Sequence, residues 1–167
     1  MTGRPRSILI DTSVWLDNYL GDHIGSDASR QLLSYALEDG ISLLFAPTSA
    51  TDVYRLITAD LKQTERKEHG ALDPAAASAI DEVAWSCVSN MSEVATAIGV
   101  DMSDLWMAGK LKGVHSNFED DLVLAAAKRA KADYLVTWDT QLRRDSIVPA
   151  LDPQSMLNLL QSFKRET

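Results

Sequence analysis

NFEDDLVLAAAKRAKADYLVTWD, residues 117–139, decides the fold of this chain. The stretch opens on three consecutive acids, Glu119, Asp120 and Asp121, and continues as an alanine-rich helical pattern. It closes as a short apolar strand, 134–136, that stops at Thr137, Trp138 and Asp139. A helix that leads into a parallel strand runs antiparallel to it, so the helix start and the strand end fall on the same edge of the sheet. Asp139 and the Asp120/Asp121 pair therefore converge across eighteen or nineteen positions of sequence. In an open α/β sheet that carboxyl edge is where ligands bind.

The same phrase recurs at the amino end. Residues 7–10 (SILI) are an apolar run of strand length ending at Asp11-Thr12-Ser13, which reads as a strand buried on both faces. Two readings of Asp11 stand side by side: it caps the helix suggested by Val14, Trp15, Leu16 and Leu20, or Thr12 or Ser13 does so and Asp11 is left for chemistry. Residues 29–38 carry Leu32, Leu33, Ala36 and Leu37 at helical spacing before Gly40, and 41–46 form a second strand ended by Pro47. From Thr48 a long helix follows with Val53, Leu56, Ile57 and Leu61 as its stripe and Asp52 one turn in.

The charged end of that helix, KQTERKEH (62–69), reads as solvated, with Lys62, Arg66 and Lys67 as an alternative phosphate-facing set. Residues 74–100 are predicted helical in two pieces, interrupted at Ser89-Asn90, and 101–111 as a further short helix. Met102, Trp106 and Met107 there suit a core or a partner-facing patch better than a cofactor box. The chain breaks at 113–116, and in the central helix Leu122, Ala125, Ala126, Arg129 and Ala130 lie along one side. A polar piece, 140–146, precedes a last strand over 147–151, and Asp152-Pro153 supplies an N-cap with proline at the first helical position. The element order predicts an α/β fold: a three-layer α/β/α sandwich with a central parallel sheet of four to five strands, in one domain spanning 1–167 with its core at about 8–160.

Composition narrows the function. Sixteen Lys+Arg against 24 Asp+Glu give a net charge of −8, which excludes a broad basic face as the means of holding nucleic acid. Any such ligand must be met by a local patch or a metal. The single cysteine, Cys87, rules out an internal disulfide, and no 18-residue apolar run or signal-peptide pattern is present, so the expectation is a cytoplasmic protein with no membrane association. Cys87 lies in a helical pattern with no Cys or His nearby and reads as a small hydrophobe.

Asp11, Asp52, Asp120 or Asp121, and Asp139 thus fall on one predicted edge. Two unit charges about 4 Å apart repel by roughly 4 kcal/mol at an effective dielectric near 20, so four carboxylates need a cation or protons among them. With neither Cys nor His in the set, a hard dication, Mg²⁺ or Mn²⁺, is the fitting partner. Such an ion polarises phosphoryl oxygens and helps generate hydroxide, which points to phosphodiester hydrolysis. Capping alone is the bland alternative, since Asp is favoured at helix starts. An aspartyl-nucleophile phosphatase fits poorly, because Ser13 stands where that chemistry wants a second Asp, and so does a phosphoacceptor domain, which wants an adjacent acidic pair near the first strand.

ILIDTSVW, TSATDVYRL, FEDDLVLAAA and ADYLVTWD together resemble the PIN domain, the nuclease fold of the VapC toxins and related ribonucleases, over about residues 8–160. The resemblance implies Mg²⁺/Mn²⁺-dependent endoribonuclease activity, RNA as substrate, an antitoxin protein as partner and a homodimer. By the same resemblance the catalytic acids are Asp11, Asp52, Asp120 and Asp139, and the metal ligands Asp11, Asp120 and Asp139, with Asp121 the alternative to Asp120. Thr137 matches a Thr usual before the last acid, and Thr12 and Ser13 are candidates for the same support of the ligand carboxylates. Asp52 stands where the family usually has Glu, one methylene longer. Glu119 reads as solvated. A PIN-like binding module with weak metal binding, and an RNA-processing nuclease outside any toxin–antitoxin pair, are the alternatives. The apolar residues between Val53 and Ile57, or between Leu105 and Leu111, would supply a dimer patch.

Overall fold

In the computed structural model, which describes residues 3–21, 23–112 and 117–165, the chain builds one all-parallel sheet of five strands. The first half gives β1 (Ser7–Ile10), α1 (Thr12–Tyr19), α2 (Ser26–Glu38), β2 (Ser42–Phe45), α3 (Pro47–His69) and α4 (Pro74–Val94). The second half gives β3 (Thr96–Ala97), α5 (Met102–Leu111), α6 (Phe118–Arg129), β4 (Tyr134–Val136), α7 (Thr140–Asp145), β5 (Ala150–Leu151) and α8 (Pro153–Arg165). The sheet order is β3-β2-β1-β4-β5, so β1 is central and the order reverses there. The crevice at the carboxyl end of such a switch point is the favoured ligand site of this class of fold.

The central strand is apolar because both of its faces are covered. Ile8, Leu9 and Ile10 are each at most 1% exposed, and the pleat sends Ile8 and Ile10 to one side and Leu9 to the other. On the first side they join Trp15, Leu32, Val53, Ile57, Ala84, Met91, Met156 and Leu160, from α1, α2, α3, α4 and α8. On the second, Leu9 and Leu135 pack on Leu111, Leu124, Ala126, Ala127 and Leu142, from α5, α6 and α7. Each such side chain fully buried contributes roughly 1.5–3 kcal/mol, so the three layers follow from the alternation. The three-layer α/β/α sandwich is the architecture expected.

Several local expectations are corrected. Residues 74–94 form one unbroken helix, begun by Asp73, whose side chain accepts the amides of Ala75 and Ala76, with Pro74 at N1. Asn90 does not break it, because its side-chain oxygen accepts the Tyr19 hydroxyl at 2.9 Å and so does not compete for helix backbone. The strand that follows, β3, was not visible in the sequence: two exposed residues at a sheet edge carry no apolar signal. The last strand is shorter than predicted, covering only Ala150–Leu151. The second helix starts at Ser26, three residues before its expected start, and the long third helix starts at Pro47, one residue early.

The buried face of α6 is Val123, Leu124, Ala125, Ala126 and Ala127, together with Asp121, whereas the expected stripe ran through Leu122, Arg129 and Ala130. Alanine on nearly every side leaves the phase of such a helix undefined by hydrophobicity alone. Arg129 instead turns to Asp104, donating from Nε to Oδ1 at 3.0 Å. Val53 and Ile57 are buried in the core and offer no dimer patch, while Leu105 (43% exposed) and Trp106 (62%) stand at the surface of α5. Met102 is exposed beside them, and Lys110 lies 3.8 Å over the Trp106 ring. Lys62 is committed to Asp81 at 2.8 Å across the α3–α4 hairpin. Burial pushes the half-buried Cys87 thiol up, away from nucleophilic use. The expected break at 113–116 lies outside the described residues. Among the described residues no helix is long and apolar enough to cross a membrane.

Candidate functional site

At the carboxyl edge of β1 the main chain of Asp11 is tied into the sheet, its amide donating to the Val136 carbonyl at 3.0 Å. Asp11 occupies the N-cap position of α1, with extended φ −73° and ψ 158°, yet its side chain caps nothing. Its Oδ2 instead accepts two hydroxyls, from Ser13 at 2.8 Å and from Thr137 at 2.7 Å. The capping reading of Asp11 is thereby set aside, and neither Thr12 nor Ser13 is the cap: Thr12 is simply the first residue of α1.

Thr137, fully buried, joins two acids. Its hydroxyl donates to Asp11 and its oxygen accepts the Asp139 amide at 3.0 Å. The Trp138 amide meanwhile approaches Ser13 Oγ at 3.4 Å, so both threads from β4 end on Asp11. The side chain of Asp139 is the N-cap of α7, its Oδ1 accepting the amides of Gln141 at 2.8 Å and Leu142 at 2.9 Å. Asp139 is therefore both strand end and helix cap. Thr137 and Ser13 both donate to Asp11, whereas Thr12 has no hydrogen bond to Asp11 among the described residues.

A second acidic pair stands at the starts of α3 and α6. Asp52 is half-buried and ion-paired with Arg55 one turn on, at 2.8 Å. Glu119 is exposed at the surface, and its side chain also meets Asp52 and the Thr48 side chain. Partial burial pushes its carboxyl up, and the Asp52 charge, a hydrogen bond with Asp52 and the Asp120 charge act in the same direction, against a smaller opposing pull from Thr48. The contact has a signal in the sequence: both helices begin at the same sheet edge, and Asn117, accepting the Glu119 amide at 3.0 Å, fixes the start of α6. Asp120 is half-buried in that first turn, while Asp121 is 2% exposed on the inward face.

The geometry thus yields two pairs, Asp11/Asp139 through Thr137 and Asp52/Glu119 directly. Among the described residues no group of three or more Asp, Glu, His or Cys side chains is placed to hold a metal ion. Asp139 is engaged by the α7 amides and Asp52 by the Arg55 guanidinium. The chemistry of the donor set, oxygen throughout, nevertheless suits a hard dication. A hollow of about 630 Å³ lined by Arg4, Arg6, Asp39 and Asp133 lies at the opposite edge of the sheet, where Arg4 and Asp39 pair, and takes no part in this arrangement.

The VapC20 toxin of Mycobacterium tuberculosis, described as cleaving the sarcin–ricin loop, superimposes with a TM-score of 0.60 at 12% identity, covering 85% of this chain and 97% of that one. VapBC2 of Rickettsia felis, solved bound to a DNA fragment from its promoter, matches with a TM-score of 0.55 at 15% identity over 87% of this chain and 99% of that one. At such identities the likeness establishes the fold. No curated protein sequence matches the chain. The family model of the PIN domain matches residues 7–141, from the first residue of β1 to just beyond Asp139, and so takes in all of the acids described above. With five parallel strands in this order and a family match over most of its length, the chain belongs to the PIN domain family.

Proposed function

We propose that this protein is a Mg²⁺- or Mn²⁺-dependent endoribonuclease, one nuclease domain acting on RNA phosphodiester bonds as the toxin of a toxin–antitoxin pair in the cytoplasm. The observation that carries the reading is the Thr137 bridge between Asp11 and Asp139 at the switch point of a PIN fold. The residues that would hold the ion are Asp11, Asp120 and Asp139, with Asp52 and Glu119 beside them. A bound dication would polarise the phosphoryl oxygen and lower the pKa of a water molecule.

The chain's own residues prepare that site. Ser13 and Thr137 occupy Oδ2 of Asp11 and fix its carboxylate plane, and Oδ1 has no hydrogen bond among the described residues. Asp139 has Oδ1 on the α7 amides, so it stays anchored while offering its other oxygen. The third carboxylate we assign is Asp120, half-buried in the first turn of α6. The inward burial of Asp121 favours Asp120 for that role. The Asp52–Glu119 pair supports the same reading, since Glu119 supplies the longer carboxylate arm that Asp52 lacks.

An antitoxin partner is part of the proposal. An arginine inserted among these acids would pair bidentately with a carboxylate and exclude the ion. The exposed Leu105 and Trp106 of α5 are the surface on which a homodimer would form.

The test is cleavage of single-stranded RNA with Mg²⁺ or Mn²⁺, with EDTA, and with Asp11→Asn. Cleavage that needs the metal and is lost in the variant is expected; cleavage insensitive to EDTA would overturn the reading. The engagement of Asp52 by Arg55 and of Asp139 by the α7 amides favours a second reading, a PIN-fold module that binds RNA without cutting it. RNA binding that is indifferent to Mn²⁺ and to Asp11→Asn would select that reading.

A further inference from the structure

Behind the acidic edge lies a buried carboxylate that the proposed reaction does not use. Asp17, on α1, is 5% exposed. Its Oδ2 accepts the Trp138 indole Nε1–H at 2.6 Å and the Ser29 hydroxyl at 2.6 Å. Its Oδ1 meets the Ser26 hydroxyl at 3.4 Å and lies 3.3 Å from His23 Nδ1. The His23 ring meets the indole edge-on at 5.6 Å between centroids. Gly25 completes the enclosure, because a Cβ there would overlap the six-membered part of the Trp138 ring.

Burying a carboxylate is costly unless donors surround it, and this one collects donors from α2 and from the turn after β4. Filling the same space with apolar side chains would need no charge. What the charge adds is direction: a strong hydrogen bond to one atom of one residue. That residue is Trp138, whose own amide points at Ser13 and whose neighbours are Thr137 and Asp139. Both ends of Trp138 are therefore held, the main chain against the Asp11 relay and the side chain against α1 and α2.

We propose that Asp17 is a positioning residue: by gripping the Trp138 indole it fixes the turn that presses Thr137 on Asp11 and sets Asp139 at the head of α7. The activity arm of its test rests on the nuclease reading above, and a second arm does not. Amide hydrogen exchange at Trp138 and Asp139 reads the turn directly, and steady-state RNA cleavage reads its consequence. In Asp17→Ala and in Trp138→Phe, which keeps the ring but loses the N–H, both amides exchange at least about tenfold faster, and kcat falls about 10–100-fold while KM stays within about twofold. Asp17→Asn, which keeps an acceptor oxygen, recovers part of both.

Leu160→Ala, in the core on α8, gives a comparably destabilised protein whose turn is intact, and it keeps wild-type kcat and the amide protection its global stability allows. Should Asp17→Ala fail to fold, Trp138→Phe decides alone. Exchange and kcat in Trp138→Phe equal to those of Leu160→Ala would overturn the proposal. A wild-type protein that neither cleaves RNA nor binds Mn²⁺ would overturn the nuclease reading, and the exchange arm would still decide whether the grip exists.

Discussion

Thr137 donates its hydroxyl to Asp11 across 126 positions of sequence, at 2.7 Å, while its oxygen receives the amide of Asp139. One buried hydroxyl therefore links the side chain that follows β1 to the main chain that follows β4. Thr137→Val, nearly the same shape, removes the donor from Asp11 and leaves the Asp139 amide without its acceptor. The expected cost is about 1–3 kcal/mol in urea denaturation, with a 10–100-fold loss in Mn²⁺ affinity or cleavage rate. Thr137→Ser restores most of both.

Asp139 has separable duties as cap and as ligand. Asn is as good an N-cap as Asp, so Asp139→Asn is expected to keep Tm within about 2 °C while RNA cleavage falls at least about 100-fold. Asp139→Ala loses both, and thermal unfolding beside cleavage assays distinguishes the two duties.

Asp120 and Asp121 differ in what surrounds them. Asp121 is buried at 2% exposure, and Asp120 is half-buried at the edge that carries Glu119. Asp120→Asn is expected to abolish cleavage with little change in stability, whereas Asp121→Asn lowers stability by about 1–3 kcal/mol and leaves the folded fraction active. Cleavage normalised to folded protein separates them; the reverse pattern would move the ligand to Asp121.

Gly25 has an ordinary φ of −88°, so its need for glycine is steric and comes from the Trp138 ring against it. Gly25→Ala is expected to cost about 1–3 kcal/mol through overpacking and to be relieved in a Trp138→Ala background. A double-mutant cycle measured by chemical denaturation gives the coupling.

Asp152 caps α8, its Oδ1 accepting the Ser155 amide at 2.9 Å and its Oδ2 meeting Arg143 at 2.7 Å. Burial acts to raise its carboxyl, but the two Ser155 hydrogen bonds and the Arg143 charge prevail and hold it below the usual carboxylate range. A folded-state pKa below the unfolded value of about 3.9 means that this stabilisation is complete above about pH 5 and is lost as pH falls through the folded value. Asp152→Ala is expected to lower stability by about 1–2 kcal/mol at pH 7. Its deficit against wild type should shrink steadily below about pH 4, as followed by denaturation at several pH values.

Much of this architecture was legible in one dimension. The apolar run 7–10, the Asp-Pro start of α8 and the alternation of strands with helices are local signals, and each acts through the residues that carry it. Asp11 and Asp139 could be named for the same reason, because each directly follows a strand. What was illegible is what local chemistry leaves undetermined. The phase of α6 is hidden by alanine on every side, the edge strand β3 is too short to show a pattern, and Asn90 breaks a helix or not according to whether Tyr19 occupies it.

The sequence by itself determined the strands other than β3, the order of the layers and the presence of acids at one edge, since hydrophobic periodicity and capping are set by neighbours a few residues apart. Only the tertiary structure decided which acids keep company. It joined Asp11 to Asp139 through Thr137, brought Glu119 to Asp52, turned Asp121 inward and gave Trp138 to Asp17. Each of these pairings spans separate elements and depends on where a side chain of only a few bonds is aimed, which is fixed when the helices dock on the sheet.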